Sequence, residues 1–366
     1  MKLITATRTM LLASLFFTFS CRTVIIGDLP GMLNYRILDS YDTDSDIEVF
    51  FGSNRKTDGE PGCKNSYFST ELGTETVTGT CTITVPARHE IGNIDSAPSE
   101  DNSPYFTIRD FKPFSKNRFY KKIKSDKFEE IIVFVHGFNV RFEDAVLRAS
   151  QIKYDLKFPG KVVLYTWPAG SPADGLLGQI FIKQVYKQNF RNAISSRPVF
   201  REFLQELSEK TGKKIHLVVH SMGHQIALNS LAEIGNNNNQ KIVEQLILNA
   251  PDYDVREFNS IKSYILKTSR RVTLYCSPGD NALLASSQVN ASHRLGSCKK
   301  TQGVDVVNVN PIDQPLLGVG GLGHGYYSSR PVLTDVFQVI LGIDVDKRLF
   351  IRKSSATGDE DFVLRK

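Results

Sequence analysis

The sequence has few cysteines and lacks an apolar segment long enough to cross a bilayer. It contains five cysteines in 366 residues, and their spacing matches no zinc site. Positive and negative side chains are interleaved along most of the chain, so the net charge of +6 forms no basic stripe with interspersed aromatic residues. We therefore expect no metal, no other cofactor and no nucleic-acid partner.

The N-terminal residues are typical of an export signal. Two basic residues precede an apolar run at residues 10–19, which is too short to span a membrane but has the length of a signal-peptide core. The following TFSC resembles a bacterial lipobox, in which Cys21 becomes the acylated first residue of the mature chain. Residues 1–21 would then be a signal peptide, residues 22–46 a tether or irregular arm, and the protein a lipoprotein of the bacterial cell envelope, held to the membrane through Cys21. An ordinary cleaved signal peptide with an incidental cysteine is the alternative.

The four other cysteines fit an oxidising compartment. An even number favours disulfides, and four cysteines allow three pairings. We expect the local pairs, Cys63 with Cys81 and Cys276 with Cys298, because the members of each pair lie in one segment of the chain. The alternative is four reduced, partly buried thiols, which export makes less favourable.

Beyond the arm, the pattern changes from strands alone to strands that alternate with helices. Extended runs at residues 47–53, 81–86 and 105–111 come first. Further along, continuous apolar runs such as IIVFVHG, KIHLVVH and RRVTLYCSP alternate with segments of helical periodicity. This predicts one α/β domain at residues 47–343, with a doubly wound, mostly parallel sheet, helices on both faces and an antiparallel N-terminal edge. The charged segment 344–366 is interpreted as a C-terminal tail, which we expect to be disordered.

The stretch LVVHSMGHQIAL joins one of these strands to a helix through Ser221. A sharp strand-to-helix turn exposes a serine hydroxyl at the carboxyl edge of the sheet and needs small neighbours such as Gly223. The backbone N–H of Met222 would lie at the helix N-terminus, where a developing negative charge is favoured. Ser221 is therefore a candidate nucleophile, and a helix-capping serine is the alternative.

A serine nucleophile needs a base, an acid that orients the base, and a second backbone donor. Asp280 follows VTLYCSPG, and His324 lies in GVGGLGHGYY after the last strand, which is the expected chain order. Asp252, which follows the preceding strand, is the alternative acid. Phe138, in HGF at the end of an early strand, is the candidate second donor through its N–H.

Taken together, the ordered motifs resemble those of the α/β-hydrolase superfamily, and more narrowly a bacterial branch of uncharacterised exported serine hydrolases. The resemblance rests on FVHGFN, TWPAG, VVHSMGH, NAPDYD, SPGDNAL and GHGYY, with VFFGSNR and ITVPARHEIG upstream, and covers about residues 49–341. It implies an α/β-hydrolase fold and a triad of Ser221, Asp280 and His324 that hydrolyses esters, thioesters or amides through an acyl-enzyme. The implied substrate is a small-molecule or lipid acyl ester.

One position departs from the turn motif of that superfamily. Val219 stands two residues before Ser221, where a small residue is usual, and its β-branched side chain could crowd the strained turn. This departure motivates a second hypothesis, a non-catalytic surface binding lipoprotein on an α/β-hydrolase scaffold. The fold alone does not decide between the two, because function depends on the site.

Aromatic and imidazole side chains flank the predicted site. We expect His136 and His220 to support or pack against it. His220 and His224 have the i,i+4 spacing of a zinc helix but no third ligand in the sequence. Trp167, in TWPAG, is a candidate for the acyl pocket and equally for the core.

Overall fold

In the computed structural model, the described part of the chain comprises residues 46–86, 89–94, 106–171, 182–237, 240–310, 323–354 and 360–365. The predicted signal peptide, Cys21 and all but the last residue of the predicted arm lie outside it. Among the helices of this part, none has the length and apolar character needed to cross a membrane.

One mixed sheet runs through the described residues. Its strands are β1 (Asp46–Thr57), β2 (Phe68–Thr84), β3 (Thr107–Phe114), β4 (Glu130–Val135), β5 (Lys161–Thr166), β6 (Lys214–His220), β7 (Val243–Asn249), β8 (Ser269–Cys276), β9 (Asp305–Asn308), β10 (Ile351–Lys353) and β11 (Phe362–Leu364). They lie in the order β10-β11-β9-β8-β7-β6-β4-β5-β1-β2-β3. All neighbouring pairs from β11 to β1 are parallel. β2 and β3 at one edge and β10 at the other are antiparallel, so the predicted sheet with its antiparallel N-terminal edge is confirmed.

Helices cover both faces of this sheet. They are α1 (Lys116–Lys124), α2 (Phe142–Asp155), α3 (Ile182–Thr211), α4 (His224–Asn237), α5 (Val255–Thr268), α6 (Asn281–Asn290) and α7 (Arg330–Ile340). Along β4, Ile131, Val133 and Val135 pack into the core beneath α1, α3, α4 and α5. Ile132 and Phe134 alternate with them and pack beneath α2 and α7. Because both faces are buried, this strand reads in the sequence as an unbroken apolar run.

The first strand is longer than the sequence predicts. The expected strand ends at Ser53, whereas β1 continues to Thr57. Its pairing with β2 shifts register after Ser53, and Arg55 then lies opposite Leu72. The polar residues of SNRKT are therefore strand residues, because a long β2 offers them backbone partners.

The expected disordered tail at residues 344–366 is wrong for the residues that the structure describes there. β11 pairs in parallel with β9, and β10 pairs with β11, so this segment extends the sheet. Ile351 and Leu364 are buried. Arg348 is buried as well and donates to Asp335 at 3.0 Å. One charge of this segment, that of Arg348, therefore lies in a buried ion pair. Treating every charged residue of the segment as exposed leads to the wrong prediction of a disordered tail.

Both predicted disulfides are present. Cys63 and Cys81 join the loop after β1 to β2, with their Cα atoms 6.0 Å apart. Cys276, the last residue of β8, is joined to Cys298, which follows the turn Leu295–Ser297, with a Cα separation of 5.1 Å. The local pairing is thus confirmed.

We expect replacement of both Cys63 and Cys81 by serine to lower the free energy of unfolding by about 3 kcal/mol, because the bridge restricts the unfolded chain. The bridged residues are 18 positions apart. Denaturant unfolding of the wild type and the double variant measures the difference, provided that the two m values agree. An unchanged midpoint would contradict the prediction.

Candidate functional site

The candidate residues lie where five neighbouring strands of the sheet end. Phe138 comes after β4, Ser221 follows β6, Asp252 comes after β7, Asp280 comes after β8 and His324 comes after β9. These strands are parallel, so their carboxyl ends meet at one edge of the sheet, which is where ligands bind in such folds.

Ser221 occupies a strained turn between β6 and α4. Its φ is +52°, in the left-handed region that costs a serine about 1–2 kcal/mol. Burial lowers the pKa of His224 to about 3, so its ring is neutral. His224 Nδ1 donates to the Ser221 carbonyl at 2.7 Å, and the N–H of Asp252 donates to the same oxygen at 3.3 Å. These two bonds hold the turn in its strained conformation.

Two glycines make room for this turn. A Cβ atom at Gly137 would lie 2.7 Å from the Cβ atom of Ser221 and 2.9 Å from Nδ1 of His220. A Cβ atom at Gly223 would lie 2.6 Å from the carbonyl oxygen of His136. The loop after β4 and the turn after β6 can therefore pack together only because both positions lack a side chain.

Val219, whose β-branched side chain could crowd the turn, is a regular core residue of β6. Its side chain is fully buried and belongs to the same apolar cluster as Met222. Its backbone keeps the regular pairing of β6 with β4 and β7. The close approaches fall at Gly137 and Gly223, so a β-branched residue at position 219 is accommodated.

His324 connects Ser221 to Asp280. His324 Nε2 lies 2.8 Å from Ser221 Oγ, and His324 Nδ1 lies 2.6 Å from Asp280 Oδ2. The other carboxylate oxygen, Asp280 Oδ1, accepts the N–H of Leu283 at 3.1 Å as the N-cap of α6. The side chain of Asp280 is fully buried, while that of His324 is 16% exposed. The carboxylate is thus fixed, and the imidazole can be reached from solvent.

Asp252, the alternative acid, has different partners. Its Oδ2 accepts the hydroxyl of Tyr186 at 2.9 Å, and its Oδ1 accepts the hydroxyl of Ser286 at 2.5 Å. Arg294 Nε lies 3.4 Å from Oδ1. Of the two candidate acids, Asp280 is therefore the one that is hydrogen-bonded to His324.

His220 and Trp167 pack behind the site. The ring of His220 stacks on Tyr327 with centroids 3.9 Å apart and lies 4.9 Å from the ring of His324. Burial holds the pKa of His220 well below its usual range, so this ring is neutral. Trp167 is fully buried and stacks on His136, to whose carbonyl its indole N–H donates at 3.0 Å. Trp167 is therefore a core residue, the second of its two expected roles.

The last four residues of the ITVPARHEIG motif, residues 89–92, pack against the segment that follows His324. His89 Nε2 lies 2.5 Å from Asp155 Oδ1, and the N–H of Gly92 donates to Asp155 Oδ2 at 2.7 Å. A Cβ atom at Gly92 would collide with the carbonyl oxygen of Ser328, four residues after His324. The sequence could not reveal this contact, because Asp155 lies 66 residues from His89 at the end of α2.

Arg55, in the VFFGSNR motif, is a residue of β1 for which the sequence predicts no function. This side chain is buried and contacts the loops that follow β4 and β5.

Among the described residues, no group of three or more His, Cys, Asp or Glu side chains is arranged to hold a metal ion.

A comparison with protein-family models assigns the chain to a family. The model of a family described as alpha/beta hydrolase of unknown function (DUF900) matches residues 112–342, a range that includes Ser221, Asp280 and His324. A search of curated proteins finds no match. The chain therefore belongs to the DUF900 family of α/β hydrolases.

Proposed function

We propose that the protein is a serine hydrolase that cleaves carboxylic ester or thioester bonds through an acyl-enzyme. Ser221 is the nucleophile, His324 the general base and acid, and Asp280 the residue that orients His324. The observation that carries the proposal is the pair of hydrogen bonds at His324, 2.8 Å to Ser221 Oγ and 2.6 Å to Asp280 Oδ2. Membership in an α/β-hydrolase family supports it.

In the first half of the reaction, Ser221 Oγ attacks the carbonyl carbon of the ester, and its proton passes to His324 Nε2. The carbonyl π electrons move onto oxygen, which becomes an oxyanion. The oxyanion then re-forms the carbonyl and expels the alkoxide, which takes the proton from His324 and leaves as an alcohol. Asp280 stabilises the imidazolium formed on the way and keeps its ring oriented.

In the second half, water attacks the acyl group on Ser221 and gives its proton to His324 Nε2. The new oxyanion collapses, the bond to Ser221 Oγ breaks, and Oγ recovers the proton from His324. The product is a carboxylic acid, and the enzyme returns to its starting state.

The oxyanion donors are the backbone N–H groups of Met222 and Phe138. Met222 follows Ser221 directly, in the turn Ser221–Gly223 that leads into α4. Phe138 follows Gly137, which packs against Ser221. Two preorganised N–H groups beside the nucleophile stabilise the developing charge without moving during the reaction.

The proposed location is the bacterial cell envelope, after export, with a lipid anchor at Cys21 and a small-molecule or lipid acyl ester as substrate. The two disulfides support export, because such bonds persist in oxidising compartments. The N-terminal sequence supports the anchor.

The first test is labelling with a fluorophosphonate, which phosphonylates an activated serine and releases fluoride. We expect one adduct on the purified wild-type chain, located at Ser221 by peptide mass spectrometry, and no adduct on Ser221→Ala. On p-nitrophenyl acetate, butyrate and octanoate, the variant should lose at least about 10³-fold in kcat. A folded wild type that neither labels nor turns over any of these esters would favour the non-catalytic binding protein instead.

The two aspartates give a matched pair of variants. We expect Asp280→Asn to lower kcat by about 10⁴-fold, because an amide can no longer hold His324 in its working tautomer. Asp252→Asn should lower the melting temperature, because Arg294 would lose its buried counter-charge, but should leave kcat within about tenfold of the wild type. Steady-state kinetics on p-nitrophenyl butyrate measures both values. A larger fall in kcat for Asp252→Asn would reverse the assignment of the acid.

A further inference from the structure

Arg55 is a buried cation that the proposed reaction does not use. It lies on β1 and is 1% exposed. Its Nε donates to Thr166 Oγ1 at 3.0 Å, one terminal nitrogen donates to the carbonyls of Ala169 at 2.8 Å and Ser69 at 3.1 Å, and the other donates to the carbonyl of Val140 at 2.9 Å. Burial lowers its pKa to about 9. Burying a charge is costly unless its donors are satisfied. Here the acceptors are Thr166 at the end of β5, the carbonyl of Ser69 in β2, and carbonyls of the loops after β4 and β5. The planar guanidinium thereby fixes these two loops relative to β1.

His136 links Arg55 to the loop beside the nucleophile. Burial and the charge of Arg55 hold the pKa of His136 well below its usual range, so the ring is neutral. Its Nδ1 lies 3.0 Å from the carbonyl oxygen of Gly137, which can only accept, so Nδ1 carries the hydrogen. Its Nε2 is therefore the acceptor. It faces the hydroxyl of Thr166 at 3.0 Å, the N–H of Trp167 at 3.3 Å and Arg55 at 3.5 Å.

This tautomer determines the direction of one backbone donor. The carbonyl of Gly137 and the N–H of Phe138 belong to the same planar trans peptide, in which they point in opposite directions. The bond from His136 Nδ1 to that carbonyl therefore orients the N–H of Phe138 as well. Gly137 packs directly on Ser221, so the oriented N–H lies in the loop beside the nucleophile.

We infer that Arg55 and His136 are positioning residues for the oxyanion donor at Phe138. The inference rests on the proposed function. Neither side chain needs to touch the substrate: Arg55 and Thr166 set the tautomer of His136, and His136 sets the peptide that donates to the oxyanion. Such a donor contributes about 10²–10³-fold to kcat, and a displacement of 1 Å can remove about 10²-fold.

The test compares variants of the full chain on p-nitrophenyl butyrate and on a trifluoromethyl ketone of the same acyl length, which forms a tetrahedral adduct with a negatively charged oxygen. For Arg55→Lys and His136→Gln we expect kcat to fall by about 10²-fold and the inhibition constant of the ketone to rise by a similar factor, with KM nearly unchanged. Lysine keeps the positive charge of Arg55 but lacks the planar guanidinium that bonds four oxygens through three nitrogens.

Arg348→Lys is the matched control. It makes the same change at a buried arginine, which pairs with Asp335 towards the opposite edge of the sheet. Its melting temperature should fall, while kcat and the inhibition constant stay within about twofold of the wild type. If Arg55→Lys affects the inhibition constant no more than Arg348→Lys does, Arg55 has only a structural role and the inference is wrong.

Thr166→Val tests the same network with a smaller change, should Arg55→Lys or His136→Gln fail to fold. It removes the hydroxyl that lies between Arg55 Nε and His136 Nε2. We expect kcat to fall and the inhibition constant to rise by about tenfold, and unchanged values would overturn the inference. A wild type without Ser221-dependent turnover would instead refute the proposed function, and the inference with it. Normal turnover in Arg55→Lys, His136→Gln and Thr166→Val, with a wild type that depends on Ser221, would refute the inference alone.

Discussion

The left-handed backbone at Ser221 is the constraint on which the rest of the site depends. This conformation costs a serine about 1–2 kcal/mol, so the surrounding structure must impose it. β6 lies between β4 and β7, in the middle of a sheet that is covered on both faces, and α4 follows the turn at once. The carbonyl of Ser221 is held by His224 and by the N–H of Asp252, and Gly137 and Gly223 leave room for the bend. Strain at one residue is thus supported by three neighbouring strands.

The two aspartates show how their surroundings separate chemically identical side chains. Asp280 caps α6 with one oxygen and leaves the other for His324. Asp252 is enclosed by hydroxyl donors and a guanidinium, so its oxygens are already occupied. Two further bonds hold the loop that contains Asp280. Cys276 is bridged to Cys298, and the N–H of Ser277 donates to the carbonyl of Gly296, in the turn that precedes Cys298. The disulfide between Cys276 and Cys298 therefore supports the position of Asp280 as well as the fold.

The sequence predicted those parts of the molecule that follow from chain order and periodicity. Apolar runs alternating with helical patterns gave the parallel sheet, and the order of Ser221, Asp280 and His324 gave three side chains that the structure joins by hydrogen bonds. It did not predict contacts that depend on pairing between distant segments. Arg55 lies in a strand only because β2 is long enough to pair with it, and His89 meets Asp155 only after α2 has packed on the sheet. The strands of the charged C-terminal segment cannot be predicted locally for the same reason, since β11 forms by pairing with β9, a distant segment of the chain.

Buried charges contact the segments on which charge develops in the proposed reaction. The tetrahedral step creates a negative oxygen beside Phe138 and a positive imidazole at His324. Arg55 donates to the carbonyl of Val140, in the loop that contains Phe138, and Asp280 is hydrogen-bonded to His324. A cation therefore holds the loop beside the developing oxyanion, and an anion contacts the developing imidazolium. Burial keeps the neighbouring rings of His136, His220 and His224 neutral, and they therefore do not oppose the imidazolium. Because these groups are fixed by folding, they need not reorganise when the reaction occurs, and this is the condition under which buried electrostatics lowers a barrier.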